Sequence, residues 1–294
     1  MNFPRVLFVG RSTVDLLYRL DDLPAEDSKV YASHFLAAPG GPALNAALTH
    51  TRLGGASMLV SAVGSGKAAD WIRAELEDLR IPLLDLALNT DYEAPLTTVL
   101  IHAANGSRTI VNPPISNTRL PLLPSRWEDA LPADWSPMPS VVLTDGFHLE
   151  QTMPLLAACK AAGARICLDG GSWKQGTAEA APLLEAAICS ERFSIPGHDN
   201  TPESLFAWFA SHGVPCIART RGAQAILGWE RGRSFQIEVA PIDAIDTLGA
   251  GDVLHGAFAH YFASGDTFEA ALRKATKIAT LSCQSLGVRS WNTL

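Results

Sequence analysis

Short apolar runs rich in β-branched residues alternate along this chain with longer segments of helical period. That alternation is typical of a parallel sheet covered by helices on both faces. The predicted strands are residues 5–10, 56–63, 140–146, 164–170, 186–191 and 214–220. Among the segments between them, a helical period is clear in residues 41–55, 69–80 and 153–164. The pattern therefore predicts an α/β fold of three layers, with one mostly parallel sheet between two layers of helices.

Two stretches break this rhythm, at residues 13–37 and 94–112. The second contains two β runs that flank Asn105-Gly106, a strong signal for a hairpin turn. Strands that no helix follows do not fit a parallel sheet, so we expect the two stretches to form a small β-sheet lid. Residues 113–139 carry seven prolines and are expected to form an irregular connection. We expect residues 1–294 to form a single domain.

Composition narrows the classes of function. The 294 residues are 47% hydrophobic and 18% charged, which is ample for a sizeable core, and the net charge is −7. An acidic chain without a basic run is not expected to bind nucleic acid. No apolar run approaches the ~18 residues that span a bilayer. Five cysteines without a CxxC pair indicate neither a disulfide framework nor a zinc site, so a cytoplasmic protein is expected.

The stretch DTLGAGDVLHGA (246–257) precedes an apolar run of helical period. A helix N-terminus exposes unpaired N–H groups and carries about half a positive charge, so it attracts anions. Glycines at 249 and 251 would let an anion approach the backbone closely. A carboxylate at Asp252 beside that anion makes chemical sense as a base that takes a proton from a hydroxyl attacking a phosphoryl group. The alternative is a capped turn in which the macrodipole alone favours Asp252.

The string DTLGAGD (246–252) resembles the C-terminal signature of the PfkB-type carbohydrate kinases, the ribokinase-like family, at every fixed position. PGGPALNAALTHTRLGG (39–55) is similar to the first signature of that family, and VGRSTVDLLYRLDDLP (9–24) to its first strand and sugar-binding Asp. The order and spacing match from Val6 to about Trp291. The resemblance implies a ribokinase-like αβα sandwich with a β-sheet lid. Within the family, the resemblance is closest to ketohexokinase-like members.

Roles follow from the resemblance position by position. It implies that Asp252 is the catalytic base. The anion hole for the transferring phosphate would be formed by the backbone amides of Gly249, Ala250, Gly251 and Asp252. The residues that would grip the sugar hydroxyls are Asp15, Gly41 and Asn45. Taken singly, these last three also fit a strand-end carboxylate, a glycine before a helix and a polar helix residue.

Further positions resemble family sites less specifically. Arg108 matches an Arg that reaches toward the reacting groups in ketohexokinase-like members, and an exposed hairpin Arg is the alternative. Thr220 and Gly222 stand where the family contacts the nucleotide, and a strand ending in a turn is the alternative. Gly287 lies in a segment similar to the one that lines the adenine pocket. Asp246 and nearby carbonyls resemble the monovalent-cation site of several relatives, which makes K⁺ a candidate cofactor.

The sequence also departs from the family pattern. The usual N-x-x-E, which helps to place magnesium, is absent from ICSERF (188–193), where Glu191 falls in another register. Pro42 follows the Gly pair, and GSGKAA (64–69) replaces a G-x-D-x-x-G string; Lys67 there is expected to be a solvated residue at a helix start. His255 is expected to be a packed or surface histidine rather than a pocket wall.

The combined expectation is a kinase that uses ATP and Mg²⁺ to phosphorylate a hydroxymethyl group of a small carbohydrate, with a ketose or related sugar favoured. A nucleoside kinase of the same family, or a non-catalytic sugar- or nucleotide-binding relative, stays open as an alternative. Exposed lid strands are natural pairing edges, so a homodimer through the lid is a further expectation.

Overall fold

The computed structural model describes residues 3–114, 118–123, 135 and 139–291. Its strands, numbered along the chain, are β1 Arg5–Arg11, β2 Thr13–Leu20, β3 His34–Gly40, β4 Ala56–Ala62, β5 Leu83–Asp85, β6 Leu96–His102, β7 Arg108–Val111, β8 Val141–Thr144, β9 Arg165–Gly170, β10 Leu184–Ser190, β11 Cys216–Arg221, β12 Gln224–Glu230 and β13 Arg233–Ile237. The α-helices are α1 Pro42–Arg52, α2 Gly66–Asp78, α3 Leu149–Ala161, α4 Thr177–Ala180, α5 Pro202–Ser211, α6 Ala250–Ala263 and α7 Phe268–Ser282, with a short 3₁₀ helix at Ala181–Leu183.

Nine strands form the large sheet in the order β13-β12-β11-β10-β9-β8-β1-β4-β5. The strands from β11 to β5 in that order pair in parallel, whereas β12 and β13 are antiparallel at one edge. Val6 of the interior strand β1 pairs with Ser57 on one side and with Val141 on the other. All six predicted strands are present, and their carboxyl ends lie at one edge of the sheet, where ligands bind in open α/β folds.

Helices cover both faces of this sheet. Alternate residues of β1 point to opposite faces, so Phe8 joins an apolar core with α1, α2, α6 and α7, and Val9 joins a second core with α3 and α5. Both cores are built from buried side chains. The predicted three-layer α/β architecture is confirmed.

The small sheet has the strand order β3-β2-β6-β7 and forms the predicted lid. β6 and β7 are an antiparallel hairpin, and Gly106 in its turn has a φ of +65°. β2 and β6, however, pair in parallel, with Val14 opposite Leu96. This parallel pairing is possible because a long connection, which includes strands and helices of the large sandwich, separates β2 from β6 in the chain. β3 runs to Gly40, three residues beyond the expected limit.

Other boundaries also differ from the expectation. α3 begins at Leu149, four residues before the predicted start, and it continues through Pro154 in its second turn. The edge strands β5, β12 and β13 were not predicted. The stretch 113–139 lies partly outside the described residues, including Pro124, Pro132 and Pro137, and its described parts carry no α-helix or strand. No helix in the described part of the chain has the length and apolar character to cross a membrane.

Candidate active site

The start of α6 is built for close backbone approach. Gly249, directly before the helix, has a φ of +69°, and a Cβ there would lie 2.2 Å from Cγ1 of Val288. At Gly251 a Cβ would meet nothing within 4 Å, so open space lies above this first turn. The amide of Val253 donates to the carbonyl of Gly249 at 2.8 Å, and the amides before it precede the regular helical ladder. Of these, the amide of Ala250 reaches the Thr247 carbonyl at 3.4 Å.

Asp252 is the third residue of α6, and its carboxylate faces the helix that follows the Gly pair. Its Oδ2 accepts a hydrogen bond from Nδ2 of Asn45 at 2.8 Å. Burial, together with the negative charge of Asp169, raises the pKa of Asp252 to about 7. The hydrogen bond from Asn45 and the charges of His255 and Arg108 oppose this rise in pKa. A carboxyl with a pKa near neutrality suits a general base.

Asn45 has a second polar atom available. The residue is 2% exposed, and its Oδ1 has no hydrogen-bond partner. Buried polar atoms are normally paired, because an unpaired one costs free energy. Asn45 lines the same cleft as Asp252. Its amide group can therefore hold the Asp252 carboxylate with the nitrogen and accept a ligand hydroxyl with the oxygen.

The Gly pair and Asp15 form the opposite wall. Oδ1 of Asp15 accepts from the Thr13 hydroxyl at 2.7 Å, and burial raises the pKa of the carboxyl. A Cβ on Gly40 would lie 2.1 Å from Oδ2 of Asp15, so only glycine leaves room for this carboxylate. Gly41 has a φ of +94°, and a Cβ there would lie 2.6 Å from the carbonyl oxygen of Arg11. A side chain is therefore excluded at Gly40 and at Gly41 by different neighbouring atoms.

The lid hairpin is hydrogen-bonded to the segment before α6. Nη1 of Arg108 donates to Oγ1 of Thr247 at 3.0 Å. The Thr247 hydroxyl in turn donates to the Gly106 carbonyl at 2.8 Å, and the Thr247 amide donates to the same carbonyl at 3.2 Å. These contacts join residues about 140 positions apart, and they hold the lid close to the start of α6 with the Arg108 guanidinium inside the cleft.

A single cleft of about 330 Å³ collects half of the predicted site residues. Those that line it are Asp15, Gly41, Asn45, Arg108, Gly249 and Asp252. Phe147 is the one aromatic ring among the described residues of its wall. The cleft volume is at the lower end of the range for small-molecule sites.

The cleft also contains charged residues that the sequence analysis missed, namely Arg11, Asp145, Asp169 and Lys174. Asp145 follows β8 and Asp169 lies at the end of β9, and these are neighbouring parallel strands. Both strand sequences end in Asp-Gly, in SVVLTDG and ARICLDG. Because the carboxyl ends of parallel strands meet at one sheet edge, the repeated dipeptide could have indicated this pair.

Asp145 is fixed by the backbone around it. Its Oδ2 accepts from the Arg11 amide at 2.8 Å, and its Oδ1 accepts from the Phe147 amide at 2.9 Å. A Cβ on Gly10 would lie 2.0 Å from Oδ1, so a glycine is required beneath the carboxylate. Burial raises the pKa of Asp145 to about 7. Two cations, Arg11 and Lys174, lie over the Phe147 ring, 5.1 and 4.5 Å from its centroid.

Six predicted residues do not line this cleft: Ala250 and Gly251, which begin α6, and Thr220, Gly222, Asp246 and Gly287. Thr220 lies near the carboxyl end of β11, and Gly222, with a φ of +60°, begins the turn that leads to β12. Gly287 has a φ of +70°, as a tight turn requires, and its amide donates to Oδ2 of Asp246 at 2.8 Å. Oδ1 of Asp246 accepts from the Leu248 amide at 2.7 Å, so this carboxylate orders the turn before α6. Monovalent-cation binding at Asp246 stays a prediction.

The segment around Val288 connects the two sides of the site. Val288 packs where a Cβ of Gly249 would lie. The guanidinium of the next residue, Arg289, donates to the carbonyl of Pro39, just before the Gly pair, and to Oε1 of Glu75 at 2.7 Å. One short segment therefore contacts both the end of β3 and the start of α6.

The remaining positions are as expected. Lys67 is exposed in the first turn of α2. His255 is 5% exposed and packed, and it does not line the cleft. Glu191 is exposed after β10, where its carbonyl accepts from Arg219 at 3.0 Å.

The family resemblance implies magnesium. Among the described residues, no group of three His, Cys, Asp or Glu side chains is arranged to hold a metal ion. Magnesium usually keeps several waters and binds through one or two carboxylates together with substrate phosphates. The described donor set therefore forms no protein-only magnesium cage.

The chain belongs to the family described as pfkB family carbohydrate kinase, whose model matches residues 4–293. It is therefore a carbohydrate kinase that phosphorylates a sugar.

Individual relatives match over nearly the whole chain. The ribokinase of Bacillus subtilis is 25% identical over 97% of this chain and 94% of its own length. The ketohexokinase of Mus musculus is 20% identical over 96% of this chain and 97% of its own length. The structure of Arabidopsis thaliana ribokinase in complex with ribose and ATP superposes with a TM-score of 0.76, at 21% identity, over 98% of this chain and 94% of that chain. This likeness confirms the ribokinase-like fold.

Proposed function

We propose that the protein transfers the γ-phosphoryl group of ATP to a hydroxymethyl group of a small sugar, with Asp252 as the base. The observation that carries the proposal is a carboxyl of raised pKa, about 7, in a cleft beside the amides that precede the hydrogen-bond ladder of α6. ATP is supported by the Arabidopsis relative, which was solved with ribose and ATP.

In the proposed mechanism, Asp252 takes the proton of the attacking hydroxyl as the oxygen bonds to phosphorus. The amides of Gly249, Ala250 and Gly251 face the charge that develops on the phosphoryl oxygens, at a helix end that already favours anions. The Arg108 guanidinium lies in the same cleft and contributes positive charge. Magnesium, when bound with the nucleotide, neutralises phosphate charge.

The sugar would be held by the opposite wall. The Asp15 carboxylate and the unpaired Asn45 oxygen are acceptors for hydroxyl protons, and the Gly41 backbone is open to close approach. The cleft is small and has one aromatic ring among its described wall residues, which favours a sugar over a nucleoside as the acceptor. The mouse ketohexokinase among the relatives supports a ketose, while the ribokinase of higher identity supports an aldose.

The nucleotide side of the proposal rests on three positions. Thr220 and Gly222 lie at and just after the end of β11, and Gly287 begins the turn that contacts Asp246. We assign these residues to nucleotide binding. A K⁺ ion near Asp246 belongs to the same proposal.

A homodimer through the lid completes the proposal. Large apolar side chains are exposed on or next to the lid strands, with Tyr31 at 86%, Phe35 at 58% and Val111 at 56% exposure. β3 and β7 are the open edges of the lid sheet. Light scattering of the purified protein measures the oligomeric state.

The test is a coupled ADP-release assay with ketoses, aldoses, sugar acids and nucleosides. We expect turnover with at least one sugar, and Asp252→Asn lowers that turnover about 10²–10⁴-fold while sugar affinity changes little. The matched control is Asp199→Asn, an exposed carboxylate outside the cleft. Near-normal turnover of the Asp252 variant would exclude it as the base, and no turnover with any sugar would favour a non-catalytic relative.

A further inference from the structure

His255 is a buried histidine whose ring contacts hydrogen-bond acceptors on both sides. It lies on α6, one turn after Asp252, and is 5% exposed. Nδ1 is 2.7 Å from the carbonyl oxygen of Gly251 and 3.3 Å from Oδ2 of Asp169. Nε2 is 3.1 Å from the carbonyl oxygen of Ile188, on β10. Both ring nitrogens therefore face oxygen lone pairs.

The two facing acceptors bear on how many protons the ring carries. A neutral imidazole has one N–H donor and one lone pair, so one of its nitrogens would meet a carbonyl lone pair without a proton between them. An imidazolium donates from both nitrogens and satisfies every contact. A buried cation needs a buried counter-charge, and the Asp169 carboxylate, itself 5% exposed, provides it.

Asp169 connects this pair to the proposed base. Its negative charge raises the pKa of Asp252, whereas the positive charge of His255 lowers it. Burial raises the pKa of Asp169, and the charges of His255 and Lys174 oppose that rise. The other ionisable groups that line the cleft are Arg11, Asp15, Arg108 and Asp145.

We infer that His255 and Asp169 are a positioning pair for Asp252: the buried imidazolium fixes a second carboxylate near the base, and the two opposite charges set the pH at which the base becomes active. Neither residue takes the substrate proton, so both act through Asp252. The inference rests on the proposed function, in which Asp252 is the base.

The pH profile of kcat/KM tests the pair, because the two substitutions act with opposite sign. Asp169→Asn removes the negative charge that raises the pKa of Asp252 more than the charge of His255 lowers it, so the acid limb shifts to lower pH even if His255 loses its proton together with its counter-charge. His255→Gln removes the positive charge but leaves Asp169, so the acid limb shifts to higher pH. We expect a shift of about one pH unit in each case. His198→Gln, at an exposed histidine, is the control and leaves the limb in place.

Shifts in the same direction, or no shift, would overturn the inference, because damage to folding alone does not separate the two signs. In case a variant fails to fold, ¹⁵N spectra of the wild-type protein provide a second measurement. We expect both ring nitrogens of His255 to be protonated at neutral pH, and a neutral ring would overturn the inference. If Asp252→Asn keeps its turnover, the proposed function itself fails. That outcome is distinct from a failure of the positioning pair, which is seen only in the pH profiles and the ¹⁵N spectra.

Discussion

Replacing Asp252 by Asn should make the protein more stable as it removes activity. The pKa of the carboxyl rises from 3.8 to about 7 on folding, mainly through burial. Each unit corresponds to about 1.4 kcal/mol, so the ionised group costs the folded state about 4 kcal/mol at most. Because the carboxylate reaches the cleft, solvent screening reduces this to about 2–4 kcal/mol. An amide in its place can still accept the hydrogen bond from Asn45.

The sign of the pH dependence follows from the raised pKa. Below about pH 4 the carboxyl is protonated in both the folded and the unfolded chain, and the ionisation cost is absent. Between about pH 4 and pH 7 only the unfolded chain ionises, so the cost to the folded state grows with pH. Above about pH 7 both states are ionised and the cost is constant. The stability advantage of the Asp252→Asn variant should therefore grow with pH and then level off.

Thermal unfolding followed by circular dichroism measures this advantage. We expect the midpoint of Asp252→Asn to exceed that of the wild type by roughly 4–8 °C at about pH 8, and by less than half of that at about pH 5. The exposed Asp199→Asn is the control and should change neither value. If the Asp252 variant is no more stable than the wild type, or if the difference does not grow with pH, then burial does not raise the pKa of Asp252 as described.

Two further predictions concern glycines of the site. Gly251→Ala should keep the thermal midpoint, since a Cβ there meets nothing, but it should lower kcat/KM for ATP about tenfold or more because the methyl group fills the space for the phosphoryl group. Gly249→Ala should instead cost about 1–3 kcal/mol of stability, because Gly249 has a positive φ and its Cβ would meet Val288. Equal stability of the two variants would contradict this prediction. Gly40→Ala should displace the Asp15 carboxylate and raise KM for the sugar about tenfold or more in steady-state assays, with KM for ATP unchanged; an unaltered sugar KM would count against Asp15 as a sugar ligand.

Hydrophobic periodicity predicted most of the fold. Buried parallel strands read as continuous apolar runs, and the Asn105-Gly106 turn was explicit in the sequence. The edge elements were missed for physical reasons: β5 has three residues, and β13 has exposed positions along most of its length. The early start of α3 was hidden because Pro154 normally belongs to a first helical turn.

The site was predictable where a local string contains its own chemistry. DTLGAGD (246–252) holds the glycines, the carboxylate and the helix start together. Asp145 and Asp169 required the neighbouring order of β8 and β9, which a repeated Asp-Gly dipeptide hinted at. The contact of Arg108 with Thr247 joins positions 139 residues apart, and no local pattern encodes it.

The segment that carries Val288 and Arg289 has a consequence for how the two substrates influence each other. Arg289 is anchored to the Pro39 carbonyl, and Val288 fills the space beside Gly249. A displacement of the end of β3 at Pro39 on sugar binding would therefore also move Val288, which packs against the start of α6. Thermodynamic linkage requires such coupling to be mutual. The factor by which bound sugar changes the affinity for the nucleotide must therefore equal the factor by which bound nucleotide changes the affinity for the sugar. The segment of Val288 and Arg289 would thus couple the two substrate sites of the kinase directly.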